Sequence, residues 1–246
     1  TSQVGGIVSK DADGVKIDVT AAYTDPNADD RSIEVRYTFT FGDSVLPGNY
    51  KVGDTVLTQN AALTQTVTGK IFKAPLTIEL ESQWSVYDGA VPTASSVDGT
   101  WSITSGTIYS QNGVQDDLGI QLTIEDAAAD AKKYILTAEA KGEDSGNYEL
   151  TVTPSTYTVE RRDVTIQIGD AEGFYGDDPV KPQTLLTDIS TGETAGLVET
   201  DGVETSDFFD MVTIDASASS DAGSYNITGT NGDHGNYTVT FSNQGI

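Results

Sequence analysis

Two short markers recur along this chain at nearly one interval, and that recurrence constrains its fold more than any other feature. Gly-Asn-Tyr occurs at Gly48–Tyr50, Gly146–Tyr148 and Gly235–Tyr237, with spacings of 98 and 89 residues. A strand-like run, Pro75-Leu-Thr-Ile-Glu-Leu80, returns 88 residues later as Asp163-Val-Thr-Ile-Gln-Ile168. An aromatic turn follows each: Val86-Tyr-Asp-Gly-Ala-Val-Pro92 and Phe174-Tyr-Gly-Asp-Asp-Pro179, with Tyr87 and Tyr175 again 88 apart. Two independent markers that keep one period mean that the chain is a tandem array, and each repeat is one structural unit.

The boundaries follow from where the first strand of each repeat begins. Thr68-Gly-Lys-Ile-Phe-Lys73 and Thr156-Tyr-Thr-Val-Glu-Arg-Arg162 run straight into the next unit, so the chain divides into 1–72, 73–160 and 161–246. No Gly/Ser-rich or Pro-rich linker separates them, which predicts units that abut. The first unit lacks the aromatic opening turn, and the third ends where a closing strand would begin. Both are read as divergent or truncated, and the chain as a segment of something longer.

Within the units, Thr, Val, Ile and Tyr dominate, with period-2 alternation in Ile33–Phe39, Gln121–Ile124 and Val212–Asp215. Gly-Asn-Tyr sits between alternating runs and predicts a strand, a glycine-bearing turn and a second strand whose tyrosine packs inward. The expected fold is all-β: three small antiparallel, Ig-like sandwiches in an elongated array. The alternative is a β-grasp unit whose one short helix is Asp126–Lys133, an alanine-rich run with acid at its start and base at its end.

With those motifs in place, the chain resembles the mostly-β, glycine-rich (MBG) and YDG-type repeats of bacterial surface proteins and adhesins. The Tyr-Asp-Gly and Tyr-Gly-Asp-Asp-Pro turns, the Gly-Asn-Tyr and the closing Tyr-Thr-Val strand carry the likeness. It covers most of the second and third units, and the first from about Ile33 onward. The resemblance implies a bacterial, extracellular spacer or adhesive array attached to the cell surface through other parts of the protein, with no catalytic residues to carry over.

Charge excludes several partners. There are 38 acidic and 13 basic side chains, a net charge of −25. It grows along the chain: −3, −10 and −12 for the three units. Such a surface repels nucleic acid and anionic lipid. Repulsion between neighbouring units, screened beyond about 8–10 Å in physiological salt, favours an extended monomer. No apolar run approaches the ~18 residues of a membrane span, and Thr1–Gly6 has neither the basic nor the apolar region of a leader. Cysteine is absent, which removes thiol chemistry and disulfides alike.

The chemical candidates are few, and the expectation is a protein that is not an enzyme. One histidine, His234, sits in a glycine-flanked turn and has no counterpart in the other repeats, which argues against a Ser-His-Asp site. Calcium is the one candidate cofactor, because acidic loops supply the oxygen ligands it prefers; Asp25, Asp29 and Asp30 are the first choice, ahead of Asp11-Ala-Asp13 and Asp177-Asp178. Trp84 and Trp101 bracket the Tyr87 turn and are candidates, with Tyr87, for stacking a sugar or binding a protein on a host or cell surface. Lys16 and Lys70 are conceivable donors for an intramolecular isopeptide bond, and Asn226 and Asn236 head incidental glycosylation sequons.

Overall fold

Strand is the predominant regular structure among the described residues. The computed structural model describes residues 6–95, 100–111, 113–179 and 186–242. Residues 1–5, in the stretch read as carrying no leader, and 243–246, where the closing strand is expected to be missing, lie outside them. The chain clusters into two compact units, residues 1–75 with 143–149, and residues 76–142 with 150–246.

The first unit is a meander. Strands β1 (Val15–Tyr23), β2 (Asp29–Phe41) and β5 (Ala61–Ile71) form an antiparallel sheet in the order β1-β2-β5, while β3 (Lys51–Val52) and β4 (Thr55–Val56) make a small hairpin. Alternation in β2 turns Ile33, Val35, Tyr37, Phe39 and Phe41 to one face and Glu34 and Arg36 to the other. The core sits at one end of this sheet, where Phe39, Phe41, Val45 and Leu57 are buried and Tyr50 stacks on Phe41.

In the second unit, β6 (Ala74–Leu80), β7 (Gln83–Val86), β8 (Trp101–Ser105), β9 (Ser110–Gln111), β10 (Val114–Gln115), β11 (Ile120–Ile124), β12 (Lys133–Ala140), β13 (Tyr148–Thr153) and β14 (Ser155–Glu160) come first. They build one sheet in the order β11-β12-β14-β7 and another in the order β13-β6-β8, with β9 and β10 as a hairpin. Leu76, Ile78 and Leu80 alternate into the core from β6, and Leu122, Ile124, Tyr134, Leu136, Tyr157 and Val159 do so from the other sheet. β15 (Arg162–Gln167) repeats the β6 pattern with Val164 and Ile166 buried, followed by Ile168. It lies in the sheet β16-β15-β20-β19, with β16 (Thr187–Asp188), β19 (Gly232–His234) and β20 (Tyr237–Phe241), while β17 (Val212–Ile214) and β18 (Ile227–Gly229) pair separately. Arg162 is itself buried. Its guanidinium donates to the carbonyls of Gly192, Glu193, Ala195 and Gly196 and so closes that loop.

The fold is all-β, as the composition and alternation predict. Three details differ. The sheets are mixed: β7 runs parallel to β14 and β15 parallel to β20, because the strands come from opposite ends of a repeat and the intervening chain makes the crossover. Residues 126–132 are a turn, irregular chain and bends, and Lys133 already opens β12, so the short helix does not form. Eight residues cannot offset the cost of nucleating a helix, and Tyr134 takes the carbonyls of Ala128 and Asp130 for its own hydroxyl. Gly-Asn-Tyr is a hairpin turn only in its third copy, where Gly235 has φ 57. The first two copies end 3-10 turns, Pro47–Asn49 and Ser145–Asn147, and β12 and β13 lie in different sheets.

Candidate functional site

The residues that recur with the repeat converge on one carboxylate. Val198-Glu-Thr-Asp201 forms a turn in which the Asp201 amide reaches the Val198 carbonyl at 3.5 Å. Asp201 Oδ1 accepts the Val203 N–H at 2.9 Å, which leaves Oδ2 free for two phenols. Tyr87, from the aromatic turn of the second repeat, donates to it at 3.1 Å, and Tyr237, from the third Gly-Asn-Tyr, donates to the same oxygen. The Tyr237 hydroxyl in turn accepts the Val198 N–H at 3.0 Å.

Packing fixes these groups. Tyr87 is 3% exposed and meets Tyr237 edge to face at 5.7 Å. Fully buried Phe208 stands edge-on to Tyr237 at 6.2 Å; it is carried on the 3-10 segment Thr205–Met211, whose start is held by a Glu204/Asp207 capping box. Gly89 has φ 79, and a Cβ there would lie 2.8 Å from Val198 Cγ1 and 3.0 Å from Thr200 Oγ1. The Tyr-Asp-Gly turn therefore needs glycine twice, for its backbone and for its fit against the third repeat.

Both phenols are pushed above the ordinary tyrosine value. For Tyr237 the first cause is burial, then the hydrogen bond to Asp201. For Tyr87 burial again leads, the Asp201 charge adds to it, and a hydrogen bond with Asn236 opposes it. Each remains a protonated donor at physiological pH, and Asp201 is an acceptor on both oxygens. The arrangement fastens segments of two repeats together.

The first repeat builds the same device. In Val8-Ser-Lys-Asp11 the Asp11 amide donates to the Val8 carbonyl at 2.8 Å. Tyr50, of the first Gly-Asn-Tyr, donates to Asp11 Oδ2 at 2.7 Å, and the Val8 backbone hydrogen-bonds its hydroxyl. Asp11, foremost through that hydrogen bond, raises the Tyr50 pKa. Val114-Gln-Asp-Asp117 has the same spacing, and Asp117 Oδ1 accepts the Gly119 N–H at 2.9 Å. Val-x-x-Asp is therefore a third repeat marker.

Asparagine of the Gly-Asn-Tyr motif supplies a second fastening. Within the first compact unit, Asn147 Oδ1 accepts the Ala28 N–H at 2.8 Å and its Nδ2 donates to Asn27 Oδ1 at 2.9 Å. Within the second, Asn236 Oδ1 accepts the Ala131 N–H at 2.8 Å. Ala28 lies in the β1–β2 connection and Ala131 in the β11–β12 connection. The hairpin loop of one repeat is thus held by the Gly-Asn-Tyr of the next, twice.

The other candidate residues are placed as follows. Trp84 is 66% exposed on β7 and Trp101 half-buried at the start of β8, on separate sheets, while Tyr87 is committed to Asp201. The three do not form one exposed face. Asp25 accepts the Asn27 N–H and lies 3.5 Å from Arg31 Nε, and Asp29 accepts the Asp30 N–H. No group of three or more His, Cys, Asp or Glu side chains able to hold a metal is found among the described residues. Lys16 is exposed and paired with Asp18, and Lys70 lies over the Phe72 ring. His234 stands edge-on to Phe208, its Nε2 3.7 Å from Asp210 Oδ2.

Residues 164–245 match the family model of the MBG domain (YGX type). The match covers one third of the chain and contains Asp201, Asn236 and Tyr237. No curated protein and no solved structure matches the chain.

Proposed function

We propose that this chain is a non-enzymatic, extracellular repeat segment of a bacterial surface protein, acting as a stalk or as part of an adhesin. The recurring fastening supports this most directly: Asn147 on Ala28 and Asn236 on Ala131 repeat one bond between successive repeats. A residue type that returns with the period serves the array rather than one catalytic centre. The rising negative charge resists collapse of neighbouring repeats onto one another. Small-angle scattering in physiological salt tests the stalk. A maximum dimension well beyond that of a 26.0 kDa globule is expected, and a globule-sized value overturns it.

Binding of a surface glycan or protein through the second repeat is the other reading, favoured by the exposure of Trp84. A glycan array distinguishes it: binding that Trp84→Ala abolishes supports a ligand-binding module, and an array without signal removes the glycan.

A further inference from the structure

The turn carrying Tyr175 repeats the turn carrying Tyr87, yet the two have opposite surroundings. Tyr87 is 3% exposed, whereas Tyr175 is 75% and Phe174 84% exposed. A Cβ on Gly89 would strike Val198, while one on Gly176, with φ 93, would have no atom of the described residues within 4 Å. The second half of the occupied joint has its counterpart too. β17 and β18 repeat β11 and β12, with Val212-Thr-Ile214 answering Leu122-Thr-Ile124, so the 215–226 connection stands where the Ala131 loop stands. This connection and the Phe174–Pro179 turn together line an open cavity of about 630 Å³, with Ile214, Tyr225 and Ile227 on its walls.

The complementary surface lies in the first repeat. Two bonds of the Val198, Asp201 and Tyr237 cluster recur at Val8, Asp11 and Tyr50: the Asp amide donates to the Val carbonyl and the phenol donates to the carboxylate. In the occupied joint, Asp201 Oδ2 takes Tyr87 as well as Tyr237. Val8 is 54% exposed and Asn49, the counterpart of Asn236, is exposed as well.

We infer that the Phe174–Pro179 turn and the 215–226 connection of one chain receive the first Gly-Asn-Tyr of a second copy of this chain, head to tail. Tyr175 then donates to Asp11 of the second copy as Tyr87 donates to Asp201, Val8 closes over Gly176, and Asn49 accepts a backbone N–H of the 215–226 connection. The contact is heterologous, so each added copy leaves one donor and one acceptor face at the ends. The contact holds whether the protein serves as a stalk or binds a ligand.

Sedimentation velocity on the whole chain over a concentration series, at 0.15 and 0.5 M NaCl, tests this. Reversible, concentration-dependent association is expected, stronger at the higher salt because screening relieves repulsion between chains of charge −25. Tyr175→Ser, which removes the cavity turn's hydroxyphenyl group, and Asn49→Asp, which removes the amide and adds charge, are each expected to be monomeric alone. Mixed, they form dimers and nothing larger, since one intact face remains on each partner. Both side chains are exposed, so unchanged circular dichroism and melting are expected for the variants. A monomer throughout, association that survives in either variant, or a mixture that stays monomeric overturns the inference.

Discussion

The Tyr87 hydroxyl donates to Oδ2 of Asp201, 114 residues further along the chain. That bond ties the aromatic turn of one repeat to the Val-x-x-Asp turn of the next, and Tyr237 completes it from the other side. A hydrogen bond to an ionised acceptor is worth about 1.5–3 kcal/mol, more than a neutral one.

Asp201→Ala removes the acceptor of both phenols and leaves two buried O–H groups without one. A loss of about 3 kcal/mol is expected, taking two such bonds as less than additive. Asp88→Ala, whose carboxylate only caps the Ala90 N–H in an exposed turn, is the comparison and is expected to cost under about 1 kcal/mol. Urea unfolding checks both, and equal midpoints for the two variants would show that the cluster contributes nothing special.

Alkaline stability follows from the same phenols. Tyr87 and Tyr237 have folded pKa values above the ordinary value near 10. The folded state therefore holds their protons where the unfolded state has released them. Their contribution is fully present below pH 10 and falls as pH rises above it toward the folded values. Melting temperature is expected to be level in this respect up to about pH 9 and to drop beyond 10. Tyr87→Phe is expected to flatten that drop; an unchanged slope would contradict the assignment.

How much of this could be read in advance depends on whether the determining contact is local. The alternating burial on β2, β6 and β15 follows from period-2 patterning, and the 88-residue interval places Leu76 and Val164 in matching strands. The sequence also identifies the Tyr87 turn and the Gly-Asn-Tyr copies, but not the long-range contacts they make. Asn147 reaches Ala28 across 119 residues and Asn236 reaches Ala131 across 105, and no propensity encodes such a distance. The same blindness explains the 126–132 loop, where the Ala131 amide belongs to Asn236 and not to a helix. One signal was available: Val-x-x-Asp at Val8, Val114 and Val198 precedes each Gly-Asn-Tyr by 31 to 39 residues, counted from Asp to Tyr.

Glycine at the aromatic turns separates backbone strain from fit. Gly89→Ala and Gly176→Ala both place a Cβ on a positive-φ residue, costing about 1–2 kcal/mol. Only at Gly89 does the new methyl also collide with Val198. Gly89→Ala is expected to destabilise by at least about 1 kcal/mol more than Gly176→Ala, the usual range for overpacking. Equilibrium denaturation of the two variants measures that difference. Equal losses would mean that the Tyr87 turn does not seat against the third repeat.

The asparagine fastenings are separable because they share no partner. Asn147→Ala withdraws the acceptor from the part-buried Ala28 N–H, and Asn236→Ala does the same to Ala131. Each is expected to cost about 1 kcal/mol, and the double variant about the sum, since sites without common contacts add. Amide hydrogen exchange gives the sharper reading. Asn147→Ala should speed exchange at Ala28 and leave Ala131 protected, and Asn236→Ala should do the reverse. If either variant released both amides together, the two loops would be opening as one cooperative unit, and the picture of independent bonds repeated along the array would fail.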